Sequence, residues 1–367
     1  MNEAKSLASE ESNAAVSRSF WQETWRQFCR RKLAVASLIF IIFLAVVAIF
    51  SPAIAGTKPV VCKYKGRIYF PAMGYFNPSW ENAKFHEDKF YKRYPKNLKE
   101  KDPESWAIWP LVYQDPYRAI LEDEWPGRPA NPTSSEGFPS RVNFFGTHHK
   151  GIDVFAQMVH GTRVALMVGF VAMGIAATIG ILAGATAGYF GSWVDMVISR
   201  IIEVFLCIPS LVLILALLAV VEQPTIWHVM AVLGVTRWTP IARLTRAEFL
   251  KLKQLEYVTA ARALGANQIR IMFRHILPNS LAPVLVPIVF GIASAILVEA
   301  GLSVLGFGIE EPNPSWGSIL KSGRDNYEYW WTIVFPGLAV FSTVLAYNLI
   351  GEGLQEATDP KLRESGK

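Results

Sequence analysis

Six runs almost free of charge, at residues 33–50, 164–187, 204–221, 225–236, 277–298 and 329–351, constrain this chain more than any other feature. A hydrocarbon core about 30 Å thick is crossed by roughly 20 apolar residues in a helix, because there the backbone must satisfy its own hydrogen bonds. With 51% hydrophobic and 18% charged residues, the composition agrees with an all-α membrane protein. Six transmembrane helices are expected. The fourth run is the shortest, and Arg237 interrupts its extension, where a buried guanidinium in lipid is costly.

Basic residues set the orientation. Arg26, Arg30, Arg31 and Lys32 precede the first run and hold the N-terminus in the cytoplasm. Six crossings then return the C-terminus to that side, together with a segment carrying Arg243, Arg246, Lys251, Lys253, Arg262, Arg270 and Arg274. The formal charge of +6 is therefore a topology signal, and nucleic-acid binding is not needed to explain it. Ala53-Ile54-Ala55 imitates a signal-peptidase site, but the apolar stretch before it exceeds the usual core of about 7 to 15 residues and follows a polar segment. An uncleaved anchor is expected. The three cysteines, Cys29, Cys62 and Cys207, fall in different compartments and receive no disulfide, redox or metal role.

The organisation that follows has five parts. Residues 1–32 form a cytoplasmic tail, polar at first, ending in an amphipathic helix with Phe20, Trp21, Trp25 and Phe28 on the inner lipid surface. Residues 33–55 are transmembrane helix 1. Residues 51–162 make a small extracytoplasmic insert between helices 1 and 2, too long for a plain loop. It alternates in a strand-like way over 60–70, becomes helical near 82–94, and carries Trp80, Trp106, Trp109 and Trp125, which either hold it together or meet a ligand. Residues 163–354 are a core of five transmembrane helices with a cytoplasmic loop at 244–279, and 355–367 are a cytoplasmic tail. Gly180, Gly184 and Gly188 give the second span a smooth face for close helix packing. Pro209, Pro240, Pro287 and Pro336 lie in or beside spans and suggest broken, movable helices.

The loop carries the functional signal. Glu256-Tyr-Val-Thr259-Ala260-Ala261-Arg262-Ala-Leu-Gly265 describes a short helix with a small-residue surface, a basic border and a glycine stop. A second helix from Asn267 should return to the membrane through Arg274 and Pro278, leaving a knob that a soluble partner can grip. The segment resembles the coupling loop of ABC-importer permeases, which sits in a cleft of the ATPase; Ala260, Ala261, Gly265, Leu277 and Pro278 fit its pattern, while Thr259 replaces the usual glutamate. That departure, with Arg274-His275-Ile276-Leu277-Pro278-Asn279, resembles the oligopeptide and dipeptide branch. So do Phe145-Gly146-Thr147, Gly151-x-Asp153-Val154, Gly161-Thr162-Arg163, Leu305-Gly306-Phe307-Gly308, Pro312-x-Pro314-Ser315-Trp316-Gly317 and Asp359-Pro360, although His148 stands where that branch has an acid. Within the branch the insert is similar to the YejE-type microcin C and peptide permeases, through Tyr64-x-Gly66-x-x-Tyr69-Phe70-Pro71 and Trp106-x-x-Trp109.

The resemblance implies a type I importer permease fold in a bacterial inner membrane, a coupling site at Glu256, Thr259, Ala260, Ala261, Arg262, Gly265, Arg274 and Pro278, and no catalytic residues. It implies a homologous second permease subunit, an ABC ATPase holding ATP and Mg²⁺, an extracytoplasmic peptide-binding protein and membrane lipid as partners, with no cofactor on this chain. No phosphate-binding loop or nucleophile elbow occurs, so the energy source is another chain. Glu203, Arg237 and Glu299, ionisable groups in or beside spans, are pathway candidates; Glu203 could equally pair with Arg200. His148, His149 and Asp153 lack the further ligands a metal needs, and a capped helix start explains them. Two rivals remain: a proton-driven secondary transporter, which predicts inverted repeats not visible here, and an anchored receptor acting through the insert.

Overall fold

In lipid, backbone groups pair internally or not at all, and the apolar runs accordingly fold as helices. The computed structural model of the protein describes residues 20–87, 90, 93–120, 124, 137–222, 225–308 and 313–358; the polar N-terminal stretch, Trp125, Pro312, Asp359 and Pro360 lie outside the described residues. Helix α1 (Phe20–Arg30) breaks at Arg31 into α2 (Lys32–Ile49). After the insert comes α3 (Val154–Phe190), 37 residues and so about 55 Å long. Next follow α4 (Ser192–Cys207), α5 (Ser210–Ala219), α6 (Ile226–Thr236), α7 (Thr239–Leu252) and α8 (Glu256–Ala263). The chain closes with α9 (Gln268–Leu305), α10 (Trp316–Asp325) and α11 (Trp331–Thr358).

Among the described residues, α2, α3, α9 and α11 are long and apolar enough to cross a membrane, and α4 with α5 makes a fifth if the bent pair is one span. The six expected helices do not all appear as straight rods. Run 204–221 turns through 87° where Ile208 and Pro209 interrupt it. Run 225–236 gives only the 11-residue α6, about 16 Å of rise, which stops at Arg237 before Pro240 opens α7. The prolines thus behave differently: Pro209 marks a bend, Pro240 sits in a first turn where its missing N–H costs nothing, and Pro287 and Pro336 lie inside helices.

Helix α3 is the axis against which the others pack. A Cβ on Gly180 would meet the Trp238 carbonyl at 2.8 Å, one on Gly184 the Cβ of Thr245 at 2.7 Å, and one on Gly188 the Arg246 carbonyl at 2.7 Å. The glycine face is therefore filled by α7 of the same subunit. Farther along, Gly169 admits Ile292 and Ile296 of α9, and Gly234 of α6 admits Ile175. Gly351 of α11 lies under the Phe290 ring, and Gly353 under Ala34 and Phe28, so the last helix is clasped by α9, α1 and α2. An Arg31–Glu356 ion pair joins the same two ends.

The insert has its own buried cluster. β1 (Val61–Tyr64) and β2 (Arg67–Tyr69) form a hairpin whose turn, Lys65 at φ 47° and Gly66 at φ 76°, has the positive dihedrals that match strand twist. β3 (Trp106–Ile108) pairs with the other side of β1, in the order β2-β1-β3, antiparallel throughout. Cys62, Tyr64, Phe85, Phe90, Tyr94 and Leu98 are buried together, with Trp109 packed partly against them. Burial pushes the Cys62 thiol up to about 12, leaving it inert at neutral pH. Trp80 and Trp106, by contrast, are exposed, while alternation puts Cys62 and Tyr64 on the inner face.

Candidate functional site

The segment at 244–279 folds as the second half of α7, then α8, then the first turns of α9. Val258 is wholly buried and anchors α8 in a cluster with Ala185 of α3, Phe249 of α7 and Ile271, Met272 and Ile276 of α9. One face of a helix recurs every three or four residues, so Ala261 turns inward too and is half-buried against that cluster. Ala261, expected to be a close-contact residue of the knob, is thus only partly open to a partner. The outward surface is made instead by Glu256, Thr259, Ala260, Arg262, Ala263, Leu264 and Gly265, all exposed. Leu264, 88% exposed, stands at the tip.

Gly265 ends α8 at φ +81°, its N–H bonded to the Arg262 carbonyl at 3.0 Å and that of Ala266 to Ala261 at 3.1 Å. A left-handed residue here closes the helix as glycine does best. Asn267 then starts α9 with its side chain accepting from the Ile269 N–H. Residues Ile271–Ile276 form a widened π turn in which the Leu277 N–H bonds to Met272, five residues back. Pro278 has no N–H for the carbonyl four residues before it, and the widened turn lets the helix continue through the proline. Arg270, Arg274 and Pro278 are exposed beside the knob, as are Ile269 and Phe273. Among the described residues, Glu256, Arg262, Arg270 and Arg274 have no ion-pair partner within 4.0 Å. The knob thus offers apolar side chains ringed by uncommitted charge.

Sequence motifs far apart meet at the other end of the bundle. The Trp316 indole donates to the Met158 carbonyl at 3.1 Å, and that of Trp331 to Thr147 at 2.8 Å. Gly161 lies against Trp316, Gly146 against Trp331, and Phe145 stacks on Phe335 at 4.1 Å. Asp153 caps α3, accepting from the Ala156 N–H at 2.7 Å and from Asn143 Nδ2 at 2.8 Å, while the His148 ring accepts from the Lys150 N–H and His149 contacts Ser322. Burial pushes the Asp153 carboxyl up to about 6, from 3.8. A carboxyl easier to protonate when folded contributes stability that is present in acid and is lost as pH rises through 6. Asp153→Asn keeps a good cap, so its unfolding midpoint should lack the part of the parent's change that falls between about pH 4 and 6. Thermal unfolding across that range checks this, and parallel profiles would refute it.

The pathway candidates do not form one cluster; no hydrogen bond or ion pair joins them among the described residues. Glu203 pairs with Arg200 at 2.6 Å and lines a 740 Å³ cavity with Arg243 and Arg246. Arg237 donates to Ser294 of α9 at 2.6 Å. Glu299 is buried within α9 and accepts from Ser303 at 2.9 Å.

Residues 178–364 match the family described as the binding-protein-dependent transport system inner membrane component. The chain belongs to that family. Residues 19–68 of this permease also match the N-terminal TM domain of oligopeptide transport permease C. The permease is similar to the dipeptide transport system permease protein DppC of Alkalihalophilus pseudofirmus, 39% identical over 234 residues that cover 64% of this chain and 77% of the relative. It is similar to the Bacillus subtilis protein of the same description at 39% over 227 residues, 61% and 71% of the two chains. The di/tripeptide transport system permease protein DppC of Pseudomonas aeruginosa is 38% identical over 235 residues, 64% and 77%. This permease is accordingly a multi-pass inner-membrane subunit of an ABC importer, non-catalytic itself, with ATP hydrolysed by a partner subunit.

Proposed function

We propose that this permease passes peptides delivered by an extracytoplasmic binding protein, paired with a homologous second permease, and that its knob, residues 256–278, is where the ATPase engages. The knob carries the reading: an apolar tip at Leu264, with Arg262, Arg270 and Arg274 that meet no carboxylate within 4.0 Å among the described residues, suits the cleft of a soluble partner. Closure of two ATPase domains around ATP and Mg²⁺ would draw two such knobs together and reverse the access of the cavity between the subunits. Both termini then lie in the cytoplasm, with the insert outside. The dipeptide and di/tripeptide names of the relatives support the substrate class, and the insert's likeness to YejE-type permeases extends it to microcin C.

Purification through a tag on this chain should recover an ATPase and a second permease, and vesicles holding the complex with its binding protein should take up labelled peptide only with ATP. Uptake that survives without ATP and collapses with the proton gradient would establish the secondary transporter instead. Ligand binding by the insert, with uptake indifferent to changes at the knob, would establish the receptor.

A further inference from the structure

A cavity of about 440 Å³ lies where the insert meets the first turns of α3, a size that suits a small organic molecule. Charged side chains line it, and all but one have an oppositely charged partner. Lys58 Nζ donates to Glu81 at 2.5 Å, and Glu81 also accepts from the Tyr94 hydroxyl. Arg118 grips Glu124, with Nη2 2.8 Å from Oε2. Asp115 accepts from the Thr57 hydroxyl at 2.7 Å and from the Tyr117 N–H at 2.9 Å. Arg163 differs. Both its Nη atoms lie 3.3 Å from a single acceptor, the Tyr75 carbonyl, with the Tyr117 hydroxyl alongside and the Phe76 ring centroid 4.8 Å away. Among the described residues no carboxylate comes within 4.0 Å of it.

A half-buried guanidinium without a counter-ion, on the wall of an open cavity, has given up hydration that a bound anion would restore. Its planar fork matches the two oxygens of a carboxylate. Glu81 and Asp115 on the same wall would repel a dianion, which disfavours phosphate. We propose that the cavity binds a small molecule through its carboxylate, held by Arg163 with Lys58 near. Gly74 keeps the wall open, since a Cβ there would stand 3.1 Å from Lys58 Nζ and from Glu81. The site belongs to this chain alone and does not require that peptides be what the permease carries.

The test is equilibrium binding of radiolabelled L-alanyl-L-alanine to the complex recovered through this chain in lipid nanodiscs, with no transport measured. Saturable binding is expected, displaced by unlabelled dipeptide but not by its C-terminal amide or by inorganic phosphate. Arg163→Gln should weaken it at least tenfold, and Arg163→Lys should restore part of the loss. Because Arg163 also holds the Tyr75 carbonyl, a second variant keeps it in place: Asn313→Trp, at an exposed position lining the cavity, should block the mouth and remove binding without lowering the unfolding temperature. Displacement by the amide as strong as by the acid, preferential displacement by phosphate, absence of saturable binding, or binding unchanged in Asn313→Trp would each overturn the proposal.

Discussion

Gly184→Leu should deplete the protein from the membrane fraction, whereas Gly174→Leu on the same helix should leave its amount unchanged. A side chain on Gly184 is directed at the Ala242 carbonyl, with Thr245 Cβ at 2.7 Å and the Arg246 amide nitrogen at 3.0 Å. Overpacking costs about 1–3 kcal/mol where side chains can give way; here the obstacle is largely the backbone of α7, which moves only if the whole helix does. The seam between α3 and α7 also buries Ile241, Ala242 and Phe249, and separation would expose them along with polar backbone. Nothing lies within 4 Å of a Cβ on Gly174, so leucine there enters free space. Membrane abundance and the size-exclusion profile of both variants decide the point, and equal amounts would show that the glycine ridge is not a close seam.

Gly265→Arg should abolish uptake while the protein stays in the membrane. Space is not the difficulty, because no atom lies within 4 Å of a Cβ there. The φ of +81° penalises any side chain by about 1 kcal/mol, which a local helix end tolerates. What changes is the outer surface: a long cation would stand beside Leu264 and Arg262, where the proposed ATPase cleft must close. Gly265→Ala bears the same backbone penalty without the bulk and should keep most uptake. Normal substrate-stimulated ATP hydrolysis in the arginine variant would remove the coupling role from this knob.

What was readable in the sequence was what composition and short-range pattern determine. Apolar runs located the helices, and Gly180, Gly184 and Gly188 announced a tight seam, but its partner α7 begins some fifty residues farther on and no local pattern names it. The knob was legible because Gly265 and Pro278 punctuate it. Its outward apolar residues were not, since Leu264, Ile269 and Phe273 look like core until the anchoring of Val258 fixes which way the helix faces. The same limit hid that Ala261 is half-buried. Pro209 signalled an interruption without its 87° consequence. In the insert, tryptophan drew attention, while the buried work falls to Tyr64, Phe85, Phe90 and Tyr94, aromatic rings selected by strand alternation and long-range contact. The cavity at Arg163 was invisible, as its walls come from segments as far apart in the chain as Thr57 and Asn313.

The π turn before Pro278 has a mechanical meaning. By absorbing the proline, it lets the chain run as one helix from Gln268 to Leu305, 38 residues and about 55 Å. One continuous member thus reaches from beside the knob to the Ala300–Ser303 stretch on which Gly317 rests. Pro283 and Pro287, each lacking a backbone donor, place a compliant joint near its middle. If the knob is the docking surface proposed above, a push on it would travel along this member and be taken up in part at the proline joint before it reaches the other end.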